Sequence, residues 1–281
     1  MDAPIEEIVK SREDLDGYFG NPLYFRRIAA FFRSKGIPFS AAKLKEFFPQ
    51  LLDNIEEEHR LFLEALKPYL GILKPISVHP SDFSLEDIRC IAEDGRLSNL
   101  LKELQVRGIL HWNKREKSYS LHSVDRLHIM RSLSTEDKVR FHERWFNCLN
   151  RRIGKEPSIK MLYDIIFHAK ELGELTGEKK PWMKREAFFR RVLVNYADRI
   201  GDYDKVVEHS SRILEIGRTL NDKEELATGY SWKGIALARM GDLEGALKKF
   251  REALKIAEGV SKDLYNRLSL IVKALERDGG G

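Results

Sequence analysis

Cysteine is nearly missing from this chain: Cys90 and Cys148 are the only two among 281 residues. Far apart and in helical surroundings, they offer neither a disulfide framework nor the paired ligands of a zinc site. Glutamine is as scarce, limited to Gln50 and Gln105 against dense Lys, Arg and Glu, a balance that leans towards a thermophilic source. Seven of the nine prolines lie before Ser81 and none follows Pro181, so the last hundred residues are free to form uninterrupted helices. No apolar run approaches the roughly 20 residues of a membrane span. Asp2, Glu6 and Glu7 stand where a secretory signal would be basic, so the expectation is a cytoplasmic protein with no membrane partner. A polybasic tail is also lacking. The net charge of +5 is the small difference between 49 basic and 44 acidic residues, which permits nucleic acid without indicating it.

The signatures of catalysis are missing too. No G-x-x-x-x-G-K-[ST] occurs, and Gly154-Lys155 lacks both the upstream glycine and a following hydroxyl residue. Without backbone amides to cradle a triphosphate, and a Lys and hydroxyl beside magnesium, the chain is not expected to hydrolyse ATP or to hold a cofactor of its own. His142, Cys148, His168 and His209 are scattered through amphipathic helices without metal-ligand or nucleophile spacing, so no catalytic or metal residue is assigned. The tryptophans at 112, 145, 182 and 232 read as packing anchors.

What is there is helical periodicity. Leu226 to Ala257 reads as two amphipathic helices joined at Met240-Gly241-Asp242, the second with Ala246, Leu247, Phe250, Ala253 and Leu254 in steps of three and four. Gly234 and Ala246 are small enough to let the pair approach closely. Arg199-Ile200-Gly201-Asp202 repeats Arg239-Met240-Gly241-Asp242 forty residues earlier. The pattern resembles a tetratricopeptide repeat in a long-helix version, the common unit being about 34 residues. Lys262 to Arg277 closes the series with a polar face.

Upstream, Pro22 opens a helix, Leu23 to Ser34, that ends at Gly36 with Pro38 beyond. A helix over Ile55 to Leu70 is expected to lead into a Gly/Pro-rich connection at residues 71 to 82. Ser84 caps a short helix, with Asp87 where a capping box prefers Glu. Leu97 to Val106 should form another, with Leu97, Leu100, Leu101 and Leu104 inward. Ile109 to Trp112 and Ser118 to His122 alternate on either side of a charged turn and predict a hairpin. Helices then follow at Val124 to Leu133 and Thr135 to Arg152, with a pair or a bent helix between Ser158 and Gly177. The fold class expected is mainly α. It comprises a helical lid-like unit (residues 1–53), a winged helix with one β-hairpin (54–134) and a TPR-like α-α superhelix (135–281).

In that order the parts resemble the distal half of the STAND/AAA+-type signalling NTPases. Gly20-Asn21-Pro22-Leu23 matches the family's G-x-P motif, and Leu121-His122 matches the start of its M-H-D motif, with Ser123 departing from the Asp. The resemblance implies a regulatory portion that relays partner binding at the repeats to a nucleotide-controlled lid and winged helix. It places Pro22 by the adenine and His122 at the β-phosphate of ADP, with ATP, ADP and magnesium held by a core that this chain lacks. Either the chain follows such a core in a longer protein, which Met1 directly before the lid and Gly279-Gly280-Gly281 at the end favour, or the core was lost. The plainer readings stay beside these: a helix-opening proline and a strand-end histidine.

Two binding surfaces complete the expectations. By the same resemblance, the first helix of each repeat lines an inner face. Arg191, Asn195, Arg199 and Arg239 would there hold an acidic segment or terminal carboxylate of a protein or peptide partner. Their alternative is a solvated, internally paired helix face. If instead the winged helix reads DNA, as in a transcription regulator with a peptide-sensing repeat domain, Arg96, Asn99 and Lys102 would face the duplex, with Lys114, Arg115 and Lys117 at the wing tip. Glu103 on that face opposes phosphate, and a packing face is the plainer reading. Neither pattern fixes an oligomeric state.

Overall fold

Asp202 and Asp242 show how the sequence sets this chain's architecture. Each accepts a hydrogen bond on its carboxylate from a backbone N–H three residues on, at Lys205 (3.1 Å) and Gly245 (2.8 Å). Each follows a glycine of positive φ, +77° at Gly201 and +89° at Gly241, and donates its own N–H to the preceding helix, to Ala197 and Leu237. The forty-residue sequence echo is therefore the same helix stop and helix start made twice. Asn221, in the left-handed region at φ 51°, and Asp222 make a third such turn between them.

The computed structural model describes residues 63–92, 97–154 and 157–278, with Gly36 and Arg60. After a 3-10 turn at Lys67–Tyr69 come α1 (Leu70–Ser77), α2 (Leu85–Ile91), α3 (Leu97–Val106), β1 (Leu110–Asn113), β2 (Ser118–Leu121) and α4 (Ser123–Arg131). Seven further helices follow: α5 (Thr135–Arg152), α6 (Ile159–Thr176), α7 (Lys179–Ile200), α8 (Tyr203–Leu220), α9 (Lys223–Arg239), α10 (Leu243–Ala257) and α11 (Lys262–Asp278). The protein is thus mainly α-helical with a small antiparallel sheet. Among the described residues no helix is long and apolar enough to cross a membrane. The chain divides into two compact units: one of Met1–Val78 with Asp82–Leu133, the other of His79–Ser81 with Ser134–Gly281.

In the first unit β1 and β2 pair antiparallel, Leu110 opposite Leu121 and Trp112 opposite Tyr119. Phe83 adds a bridge, exchanging backbone hydrogen bonds with Tyr119 at 2.9 and 2.7 Å. Ser84 and Asp87 do form a reciprocal capping box, so the shorter acid reaches back as a Glu would. Leu97, Leu101 and Leu104 are buried as expected, while Leu100 is half-buried. The stretch expected as a connection departs from expectation: residues 70–77 are helical around Pro75. Ile72, Leu73, Pro75 and Ile76 are all buried there, and that burial outweighs the amide hydrogen bond a mid-helix proline forfeits.

In the second unit each helix from α5 to α11 packs chiefly on the helices before and after it, and α7 also meets α9. One core gathers Val194, Ala197, Val206, Ile213 and Ala236 from α7, α8 and α9. Another gathers Ala246, Phe250, Ala253 and Ala257 of α10 with Ala227, Leu268 and Val272. The close approach at Gly234 is to the ring of Phe250, where an added Cβ would meet ring carbons at 2.9–3.0 Å, rather than to Ala246. Neither cysteine is a free thiol, which departs from the expectation of two isolated residues.

Candidate functional site

The helix α7 carries most of the chemistry of the second unit because it is long, strongly basic and packed on three others. Its buried side holds Glu186, only 1% exposed. Glu186 Oε1 accepts from Arg190 Nε at 2.7 Å and Arg212 Nε at 3.0 Å, and its Oε2 accepts from Arg212 Nη2 at 3.2 Å. Burial alone would push this carboxyl up, but the hydrogen bonds from Arg212 and the charge of Arg190 outweigh it and hold the carboxyl below its ordinary range. Arg190 Nη1 donates to His209 Nδ1 at 3.2 Å, so His209 bears its proton on Nε2 and donates it to the Tyr163 hydroxyl at 3.1 Å. This network ties α6, α7 and α8 together.

Other positions on α7 are open. Phe188 is 52% exposed, Tyr196 38% and Ile200 58%, at spacings that place all three in one row along the helix. Arg191, Asn195 and Arg199 lie beside that row. Arg191 is half-buried and donates to Glu225 Oε1 on α9 at 2.6 Å. Glu225 is itself buried, its carboxyl pushed up by desolvation against the pull of Arg191. Asn195 donates to the Arg191 carbonyl at 2.8 Å. Arg199 and Arg239 are exposed in the last turns of α7 and α9, where a cation also complements the helix dipole.

The residues singled out in the first unit lie at two places. Asn99 and Lys102 are exposed on α3, and Lys114, Arg115 and Lys117 are exposed in the turn joining β1 to β2, with Lys117 at φ 51°. Glu103 on α3 is engaged by the Tyr69 hydroxyl and by Arg107 at 3.3 Å. His122 is exposed at the head of α4, where its carbonyl accepts from Arg126 N at 2.9 Å. One turn on, Asp125 is pushed up by burial, with the charge of His122 acting the other way. Pro22 and Arg96 lie outside the described residues.

Sequence spacing missed a cluster at which three histidines meet inside the second unit. His168 of α6 is fully buried, its Nε2 at 3.0 Å from His79 Nδ1 and its Nδ1 at 2.8 Å from His142 Nδ1 on α5. His79 Nε2 lies 3.2 Å from the Ser81 hydroxyl, which donates to both oxygens of Asp164 at 2.9 and 3.0 Å. The fully buried Trp145 stacks on His79 with centroids 3.8 Å apart. Burial is the first cause that lowers His142, to about 4, and His168 well below the ordinary histidine value. Among the described residues no group of His, Cys, Asp and Glu is arranged to hold a metal ion. Here the two ring nitrogens of His168 face different histidines, so they do not converge on one point. No protein-family model matches the sequence, and no curated protein matches it.

Proposed function

We infer that this chain is the partner-sensing and relay portion of a STAND-type ATPase, with the open row of α7 receiving an acidic, apolar-bearing segment of a partner protein. The observation that carries it is the row itself: Phe188, Tyr196 and Ile200 stand in solvent beside Arg199 and Asn195. Aromatic side chains flanked by arginine are the composition of interface hot spots. The helix pairs with repeated Gly-Asp turns and nearest-neighbour packing support a TPR-like array, which presents such a row along a groove. The bridge from Phe83 to the β1–β2 hairpin, after α1 and before α2 and α3, supports a winged helix in the first unit. An ATPase core joined to this chain would supply the phosphate chemistry. The exposed imidazole of His122 at the head of α4 fits the edge of such a site. The setting proposed is the cytoplasm of a thermophile, where oxidised cysteines are tolerated.

Fluorescence anisotropy with labelled peptides tests the binding face. A peptide alternating Asp or Glu with Leu or Phe should bind more tightly than its Lys-bearing counterpart. The double substitution Phe188→Ala, Arg199→Ala should weaken it by about tenfold. Equal binding of both peptides, or no change in the variant, sinks the assignment.

A second reading, DNA contact by the first unit, rests on the exposure of Asn99 and Lys102 on α3 together with Lys114, Arg115 and Lys117 in the turn. If it holds, duplex DNA binds at low salt with an affinity that falls steeply as salt rises, and alanines at the three turn cations reduce that slope. Under the relay reading the same titration shows no binding.

A further inference from the structure

Hydrogen-bond direction can be assigned throughout the histidine cluster. An ionised Asp164 only accepts, so the Ser81 hydroxyl spends its single proton on it. The Ser81 oxygen, and Asp164 Oδ2 at 3.7 Å beyond it, then call for a proton on His79 Nε2. With His79 neutral, its Nδ1 accepts from His168 Nε2–H, and His168 in turn accepts on Nδ1 from His142 Nδ1–H. One carboxylate fixes three tautomers in series.

We propose that His142, His168, His79, Ser81 and Asp164 form a directional proton relay that latches His79–Ser81 onto α5 and α6 and is reversed by neutralising Asp164. The balance is one proton in and one proton delivered. A proton arriving at His142 Nε2 lets His142 Nδ1–H pass to His168 Nδ1. His168 Nε2–H then passes to His79 Nδ1, His79 Nε2–H to Ser81, and the Ser81 proton to Asp164. Each link of the series survives with its donor and acceptor exchanged, one oxygen of the protonated Asp164 now donating to Ser81, so the series has two ordered states. The carboxyl end loses its charge and with it the ion pair to Lys160 Nζ at 3.3 Å.

The surroundings keep the charge off the imidazoles and leave Asp164 as the place it settles. Trp145 of α5 stacks on His79 and lies parallel to His168. Phe167 of α6 packs on His142. Among the described residues, Lys138 on α5 disfavours a cation at His142, a charge on His79 or His142 disfavours one at His168, and Lys160 on α6 sits beside Asp164. His79–Ser81 is held in the second unit while its sequence neighbours on both sides belong to the first. A switch in this cluster therefore acts on the point where the chain enters and leaves that unit.

Long-range proton–nitrogen correlation spectra of the full, nitrogen-15-labelled chain read each tautomer directly. Near neutral pH, His79 and His168 should carry the proton on Nε2, and His142 should carry it on Nδ1, the form that is the minor one for a free histidine. Asp164→Asn imitates the neutral carboxyl and should flip all three histidines to the opposite nitrogen. Ser81→Ala cuts the link and should leave His79 a mixture. A proton on Nε2 of His142 in the unaltered chain overturns the relay, as does an Asp164→Asn protein with unchanged tautomers. If the variants fail to fold, the tautomers of the unaltered chain decide alone.

Discussion

Replacing Glu186 by alanine should destabilise the second unit by about 3–5 kcal/mol, the range for removing one partner of a buried ion pair. The residue is 1% exposed and its side chain accepts three guanidinium hydrogen bonds from α7 and α8. Removing it leaves Arg190, whose side chain is 13% exposed, facing Arg212 across a low-dielectric gap. Arg212 is one-third exposed and recovers part of its loss from water and from Glu215, which places the effect towards the lower end. Glu186→Gln keeps the shape and one acceptor oxygen and should lose less. Urea unfolding followed by circular dichroism measures both. A loss below about 1 kcal/mol for the alanine variant would mean that the two arginines re-solvate freely and that the network is decorative.

The second large effect is on acid stability. Burial lowers His142 to about 4 and lowers His168 and His209 as well, so all three are neutral in the fold near pH 7. Their unfolded forms bind protons below about pH 6.5, where the folded forms do not, so the unfolded state gains protons first and stability falls as pH falls. The contribution is fully present above pH 6.5 and declines towards pH 4. His142 alone accounts for about 3 kcal/mol over that window, at about 1.4 kcal/mol per pH unit. His168 and His209 act in the same direction. Glu225, raised by burial, acts against them because its folded form takes up a proton first. The thermal midpoint should be level from about pH 8 to 7 and fall steadily below 6.5. His142→Gln should remove one proton from the slope. A midpoint unchanged from pH 7 to 5 would show that these imidazoles titrate normally and are therefore not dry.

Much of the second unit was legible in the sequence because its determinants are local. The Gly-Asp turns and the apolar steps of α10 each lie within a few residues of what they control. The β1–β2 hairpin was legible for the same reason. The helix at Leu70–Ser77 was not, since its glycine and proline argue against it locally and only burial of Ile72, Leu73 and Ile76 argues for it. The candidate sites divide similarly. The resemblance to a helical repeat set Arg191, Asn195 and Arg199 on an inner face of α7, but gave no sign of the commitment of Arg191 to Glu225 thirty-four residues away. The histidine cluster draws on three separate segments, beyond any spacing rule. A signal was nonetheless present: His142 and His168 are polar residues on stripes otherwise made of Phe141, Trp145, Leu149 and of Ile165, Ala169, Leu172. A polar group on an apolar stripe needs a partner, and each supplies the other's.

Nearly all of the second unit's packing joins helices adjacent in the chain, and such contacts form without closing large loops. The seat of His79–Ser81 is the exception, since His79 meets His168 across 89 positions. Bringing those ends together carries an entropy penalty of about 4 kcal/mol that no helix-to-helix step in the array shares. The array is therefore expected to assemble first, with the three-residue segment docking last onto a surface already built. By the same measure it is the first contact to let go, so its occupancy reports how complete the folding of the unit is.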